Sequence, residues 1–574
     1  GVRGVQSDEG KLSVLLDGIM LTEQRFGTTV FGSHFPVEQI DRIEIIRGPG
    51  SILHGNFAEL GVINIITKQG HQLDGGTVSG SYAHFQRGEA SKDSVITLGK
   101  QWDDFETSFY GKFNESHRSD RIYHDAAGNS FDMAKNNKLN SLLGSFKLRY
   151  KNLNLQFLVD EYSVDSRDSF AGNITSSDRY SRTRFSTYAT KLNYQYLLDN
   201  NFKIDTGFDF SHQTPWQRTR INTAAGQADQ LREKVSVDSY NFDIKGTYSA
   251  ESGHYLVLGS SFQFQDYQQT KSNFKGDLPI FANYSAYTEA VYKTKWVNIL
   301  TGLRFDWYSE YKTNLSPRLA LTKKIGAFHY KALYSQAFHA PVGGNYQLNA
   351  EYNQTNTINQ TVAQLVPEKT YSYELELGYQ FARNLGFTTN FFYNQINNFF
   401  VYTADQNLDD FYINEDRLST WGAEATLNYQ STDWGVLKIN YGFYQALEDS
   451  AAAFKAKDSN NNIVHKNMNI SFPTHKVSLN HTFAISRTLS FNHTLIFSSD
   501  RYGYTGSTLV HYAPSWIYNT YFRYQNPLFK GLEFGLGLYD VFNERYEYVQ
   551  QINTGHPALP GKTRELRLKI SYSF

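Results

Sequence analysis

Between residue 77 and the last residue, 574, one pattern keeps returning: roughly 10–14 residues in which apolar and polar side chains alternate. Leu566, Leu568, Ile570, Tyr572 and Phe574 alternate with Arg567, Lys569, Ser571 and Ser573. Tyr240, Phe242 and Ile244 alternate with Asn241, Asp243 and Lys245. Leu153, Leu155, Phe157 and Val159 keep the same period, with Leu158 breaking it. A side-chain period of two belongs to a strand. One face charged and the other aliphatic or aromatic places that strand between hydrocarbon and water. Segments start near Thr77, Ser91, Asp104, Asn140, Leu153, Arg182, Phe202, Val235, His254, Phe281, Trp296, Ser316, Ala327, Thr370, Leu385, Leu418, Trp434, Pro473, Thr488, Ser515, Leu532 and Arg564. About 22 strands is the size class of outer-membrane barrels wide enough to need a filled lumen. Short Gly/Asn/Asp turns close one end of the repeat and long polar loops the other. A soluble propeller would show blades of about 40 residues sharing a motif, and no such repeat is present.

Composition is needed only to decide what surrounds the strands. Aromatic residues make up 16% of the chain, yet mean hydropathy is −0.51. No run approaches the roughly 18 apolar residues of a membrane helix. A hydrophilic average with abundant Tyr and Phe is what a membrane barrel produces, because only alternate residues meet lipid and aromatic girdles mark both interfaces. A net charge of −1 argues against a nucleic-acid partner, and the absence of cysteine removes disulfides and thiolate metal sites.

Before the repeats lies a different kind of sequence. Ile43 and Ile45 alternate with Arg42 and Glu44, and Arg47-Gly48-Pro49-Gly50 makes a tight turn. After a polar loop from residue 51 to 56 comes a second strand, Val62-Ile63-Asn64-Ile65-Ile66-Thr67. Upstream stand Arg3-Gly4 and Leu16-Asp17-Gly18-Ile19. These four blocks, in order and at the right separations, resemble the plug domain of TonB-dependent outer-membrane receptors. His54 stands where that family usually has tyrosine, and Leu60 replaces a glycine. The resemblance continues through the barrel in Ser316-Pro317-Arg318, Ala337-Phe338-His339-Ala340-Pro341, Pro367-Glu368-Lys369-Thr370, Gly422-Ala423-Glu424, Asn543-Glu544-Arg545-Tyr546 and Pro560-Gly561-Lys562-Thr563.

The resemblance implies an all-β membrane protein: a 22-stranded antiparallel transmembrane β-barrel over residues 73–574, with an N-terminal α+β plug over residues 1–72 in its lumen. Arg3-Gly4 corresponds to the middle of the family's plug. The signal peptide, the energy-coupling box and the first plug half are therefore expected to lie outside this sequence. The implied location is the outer membrane of a Gram-negative bacterium, and the implied state a monomer in contact with outer-membrane lipid. The implied activity is energy-coupled import of a scarce metal chelate, a ferric siderophore first, with the TonB-ExbB-ExbD complex as energy source. Haem or cobalamin uptake by the same fold is the alternative. A passive porin or adhesin barrel would carry no plug blocks. Haem receptors of the family carry a histidine between the box matched here by residues 337–341 and an Asn-Pro-Asn-Leu box; none occurs from Val342 to Glu374, and of Val362-Ala363-Gln364-Leu365 only Leu365 agrees where the second box would stand.

Candidate site residues follow from the same alignment of blocks. Arg25, Phe26, Phe31, His34 and Phe35 occupy the loop that in related receptors points into the ligand vestibule, where aromatic faces and an arginine suit an anionic chelate. His339 is the remaining ligand-binding candidate. Arg3 and Arg47 flank plug strands, and the resemblance pairs them with glutamates on the barrel wall. Alternation points Glu374 and Glu424 into the lumen, so these four form the expected plug–barrel lock. No catalytic constellation, resident cofactor or metal cage is expected: carboxylates such as Asp409, Asp410, Glu415 and Asp416 have no adjacent nucleophile, and no phosphate loop or zinc spacing occurs.

Overall fold

The computed structural model describes residues 2–574 other than 8, 36, 51, 53, 54, 126, 136, 166–180, 221–229, 271–277, 279, 357–360, 406–408, 449, 506, 507 and 550–556. His54 lies outside the described residues. Twenty-two antiparallel strands close into one barrel in chain order. The last, Glu565–Ser573, pairs with the first, Gly75–His84, in the register Leu566↔His84 to Ser573↔Thr77. Closure leaves no unpaired edge, which is what lets strands stand in lipid. No described helix is long and apolar enough to cross a membrane.

Twenty strand starts fall within four residues of those expected from alternation. The two exceptions share a cause. Gln230–Ser249 and Asp410–Ser431 begin five and eight residues before Val235 and Leu418. The additional leading residues project beyond the alternating stretch, and those of Asp410–Ser431 include Phe411 and Tyr412, which are buried against other parts of the protein, so no lipid-facing period marks them. Outward-facing side chains stay exposed, as Leu566, Leu568, Ile570 and Tyr572 do on the closing strand. Turns such as Asp103-Asp104 and Lys151-Asn152 lie on one rim, and the long loops on the other.

The lumen holds a four-stranded sheet of β1 (Leu12–Leu16), β2 (Ile19–Met20), β3 (Ile40–Arg47) and β4 (Gly61–Thr67), in the order β2-β1-β4-β3. β1 runs parallel to β4, and β3 antiparallel to it. A short helix, Gly70–Leu73, leads from β4 into the first barrel strand. Both parallel strands therefore end at the short-turn rim, and the loops 21–39 and 48–60 rise toward the long-loop rim.

The sheet is docked through apolar contact. Leu16, Ile19, Leu21 and Ile65 pack on Tyr110, Leu143, Leu158 and Ala189 of the wall. Leu158, the residue that broke the alternation, is thus a lumen-facing side chain buried against the sheet. On another side Val5 and Leu60 meet Ile396, Phe399, Val401 and Leu418. Burial of such aliphatic side chains contributes roughly 1.5–3 kcal/mol each.

Candidate functional site

The loop from Leu21 to Phe35 is built around one carboxylate. Glu23 is buried and accepts the backbone N–H groups of Arg25 (2.7 Å), Phe26 (3.1 Å) and Thr28 (3.0 Å), and the indole N–H of Trp216 (3.3 Å). Burial pushes this carboxyl up, against the backbone donors that hold it down. The loop is tied to outer parts of the wall: Gln24 N–H donates to Gln213 Oε1 (2.9 Å), and Tyr267 O–H to the Gln24 carbonyl (2.8 Å). Glu23→Ala leaves three backbone donors without their acceptor, a loss on the order of 2–4 kcal/mol of local stability. Exchange of the Arg25, Phe26 and Thr28 amides is expected to accelerate at least about tenfold, with barrel melting unchanged; protection equal to the parent's would refute this.

A helix, Gly343–Thr355, lies over this loop. From Asn349 to Gln360 composition alone reads as weakly structured, so the helical stretch through Thr355 is a correction. Its buried face is mostly polar, with Asn345, Gln347 and Asn349 beside a single buried aromatic, Tyr352, which packs on Phe411, and no apolar stripe announces it. Hydrogen bonds also hold it: Asn349 Nδ2 donates to the Tyr412 carbonyl (2.9 Å), and Tyr412 N–H to Asn349 Oδ1 (2.7 Å). Gly344 N–H donates to the Arg25 carbonyl (2.8 Å), and Arg25 Nη2 to Gln347 Oε1 (3.0 Å).

Arg25 and His34 are therefore buried, Phe26 and Phe35 half-buried, and Phe31 exposed at 54%. The Arg25 guanidinium lies 4.8 Å from the centre of the Phe26 ring, and His34 stacks on Phe35 while facing Asp160 at 3.5 Å. His339 stands apart from this group. It is fully buried at the outer end of the strand Phe328–His339, where plug and wall meet, with Nδ1 3.0 Å from Glu368 Oε2.

Arg3, Arg47, Glu374 and Glu424 come together. Arg3 Nη2 is 3.0 Å from Glu374 Oε2 and 3.3 Å from Glu424 Oε2, and Arg47 Nη1 is 3.3 Å from Glu424 Oε2. Asn390 Nδ2 donates to Glu374 (2.6 Å), and the Arg3 guanidinium lies over Phe392 at 4.5 Å. The pairs differ in wetness. Arg3 and Glu374 are buried, whereas the side chains of Arg47 and Glu424 are 54% and 26% exposed. Gly48, at φ +73°, makes the approach possible: a Cβ there would lie 2.5 Å from Glu374 Oε1.

A closed barrel with a sheet sealed inside it by charged contacts is an uncommon arrangement, and comparison with known families identifies it. The TonB dependent receptor-like β-barrel family matches residues 109–541, and the TonB-dependent receptor plug domain matches residues 1–62. This chain belongs to the TonB-dependent receptor family. It is an outer-membrane protein, and the inner sheet is its plug.

Among curated relatives, the ferrienterobactin receptor of Escherichia coli is 26% identical over 374 residues, covering 56% of this chain and 49% of the relative. The vitamin B12 transporter BtuB of Vibrio cholerae is 25% identical over 348 residues, covering 59% of this chain and 53% of the relative. This receptor chain thus spans about half the length of the curated relatives it matches. A solved structure of a ferric enterobactin receptor variant from Pseudomonas aeruginosa shares the fold, with a TM-score of 0.76 at 17% identity, covering all of this chain and 92% of that one.

Sequence reasoning missed further charged contacts between plug and barrel. Arg304 and Asp306 form a buried pair on the wall, and Arg304 Nη1 also donates to the Ile52 carbonyl of the plug (3.2 Å). Lys147 Nζ reaches Asp17 Oδ2 (3.2 Å) at the short-turn rim. Lys11 of the plug reaches Glu368 (3.0 Å). The signal available was the two-residue spacing of Arg304 and Asp306, which puts both on one strand face. Nothing local marks Lys11.

Proposed function

We propose that this receptor takes up a scarce metal chelate, a ferric siderophore first, across the outer membrane, as a monomeric barrel powered by the TonB complex. The observation that carries the reading is a plug held inside a closed barrel by a small number of buried ion pairs together with apolar contact. Such a plug blocks passive flow and is released by breaking few contacts. Relatives that include a ferrienterobactin receptor and a vitamin B12 transporter support a chelate as cargo. No bond in the cargo is made or broken in this scheme. Plug and barrel divide at residue 72, and Arg3, Arg47, Glu374 and Glu424 act as the lock between them.

Exposed Phe31 marks the first contact for the ligand on the outward side of the plug. Arg25, Phe26, His34 and Phe35 become available as the helix Gly343–Thr355 lifts and Gln347 lets go of Arg25. His339 then serves the plug–barrel junction and not the ligand. Binding shifts the population toward the state with the helix raised, since only that state offers the arginine.

Restoring the full-length gene to a receptor-deficient strain tests the scheme on a panel of ferric siderophores, haem and cobalamin. Growth on at least one ferric siderophore is expected, and a Phe31→Ala, Arg25→Ala variant is expected to lose about tenfold or more in affinity for it. Rescue on cobalamin or haem alone would replace the cargo assignment, and free diffusion of small solutes in its place would refute the plugged-transporter reading.

A further inference from the structure

Where the plug meets the strands Phe328–His339 and Glu368–Ala382, charged groups are collected in a place without solvent. Lys11 and Glu59 come from the plug, His339 and Glu368 from the wall, and all four are buried. Glu368 Oε2 faces both Lys11 Nζ (3.0 Å) and His339 Nδ1 (3.0 Å), while its Oε1 accepts the Phe400 N–H (2.5 Å). The rings of Phe399 and Phe400 stand 4.5 and 5.6 Å from the Lys11 ammonium, and Phe57 and Phe400 flank the imidazole. Glu59 accepts the Thr370 hydroxyl on one oxygen; its other oxygen, Oε2, has no hydrogen-bond partner, nor has His339 Nε2. One ligand atom each from Glu59, His339 and Glu368 lie within 4.8 Å of one another. Glu9 is the remaining charged neighbour; it acts on Lys11 and receives the Tyr412 hydroxyl at 3.1 Å.

The charges do not balance. Lys11 cancels Glu368, a neutral imidazole adds nothing, Glu9 is only half-buried and stands outside the dry space, and Glu59 leaves one negative charge within it. A buried unpaired carboxylate is costly enough to take up a proton. A divalent metal is the other way to neutralise it, but the Lys11 ammonium already holds the cation position on Glu368. That same ammonium opposes a second positive charge on His339. We infer that Glu59 carries a proton when the plug is seated, so that this junction is a pH-sensitive latch: protonated it holds the plug, deprotonated it sets two carboxylates against each other across the plug–barrel boundary.

The titration range fits this geometry. Burial first, and then the neighbouring Glu368, push the Glu59 carboxyl up to about 7. Lys11 is held above the usual lysine range: its burial acts against the charge, and carboxylates, Glu368 foremost, outweigh it. A carboxyl raised in the seated state and ordinary in the released state binds more protons when seated. Seating is therefore strongest in acid and is lost as pH rises through about 7, by about tenfold between pH 6 and pH 8.

The experiment needs no cargo, so its failure is separate from failure of the transport assignment. Spontaneous opening of the full-length receptor is counted in planar bilayers from about pH 6 to pH 8. Openings are expected to rise about tenfold in the parent and to stay at the low-pH level throughout in Glu59→Gln. Infrared difference spectra of the parent should show a carboxylic-acid C=O band that bleaches over the same range and is absent from Glu59→Gln. Openings independent of pH in the parent, an unchanged pH dependence in Glu59→Gln, or no titrating band would overturn the latch. So would stoichiometric zinc binding that is abolished by His339→Gln, which would make the junction a metal site.

Discussion

Replacing Arg3 with alanine is expected to loosen the plug by about 3–5 kcal/mol, because it leaves Glu374 buried without its ion-pair partner and with neutral Asn390 as its hydrogen-bond donor. At about 1.4 kcal/mol per factor of ten, spontaneous openings in planar bilayers should rise by roughly two to nearly four orders of magnitude. Glu374→Ala combined with Glu424→Ala should raise the leak as well, since it strands the Arg3 guanidinium. Arg47→Ala is the internal control. Its side chain is more than half exposed and its partner Glu424 a quarter exposed, so it should cost only about 0–1 kcal/mol. An Arg3→Ala leak equal to the parent's would show that apolar contact alone seats the plug.

Arg304→Ala should be comparably damaging, through the wall and not the lock. The guanidinium gives Asp306 three bonds at 2.8–3.0 Å and a fourth to the Ile52 carbonyl at 3.2 Å. Without it, Asp306 stays buried with one side-chain donor, Asn283 Nδ2 at 3.2 Å. A loss of about 3–5 kcal/mol is expected in denaturant unfolding from micelles. Arg304→Lys should recover little, because a point charge cannot reproduce the fork. Replacing both partners, as Arg304→Met with Asp306→Leu, should recover most of the loss, since no charge is then stranded. A double variant as unstable as Arg304→Ala would show that the bond to Ile52, and not the stranded aspartate, carries the effect.

How much of this was legible beforehand depends on whether a residue's role repeats along the chain. Lipid imposes the same demand on every strand, so Tyr240, Phe242 and Ile244, or Leu566 to Phe574, declare their direction by period alone. The inward direction of Glu374 and Glu424 follows from the same period. The outer ends of Asp410–Ser431 and Gln230–Ser249 escaped because the lipid-facing pattern does not extend to them. The helix Gly343–Thr355 escaped because most of its buried side chains are amides hydrogen-bonded to Arg25 and Tyr412, and an Asn or Gln that will be buried looks the same in sequence as one that will be solvated.

The sequence by itself determined the barrel, its strand number, the direction of its side chains and the presence of an inner α+β unit. The first three follow from local alternation, which a linear string carries in full, and the inner unit follows from the resemblance of its four motif blocks to the family's plug. Only the tertiary structure decided which charges share a dry space. Arg3 with Glu374 and Lys11 with Glu368 are separated by more than 350 residues. No local propensity records such pairs, because their energy exists only once the barrel has closed around the plug and excluded water. The same closure took His339 and Arg25 out of solvent and left Phe31 in it: burial is a property of the assembled lumen, not of any residue's neighbours in the chain.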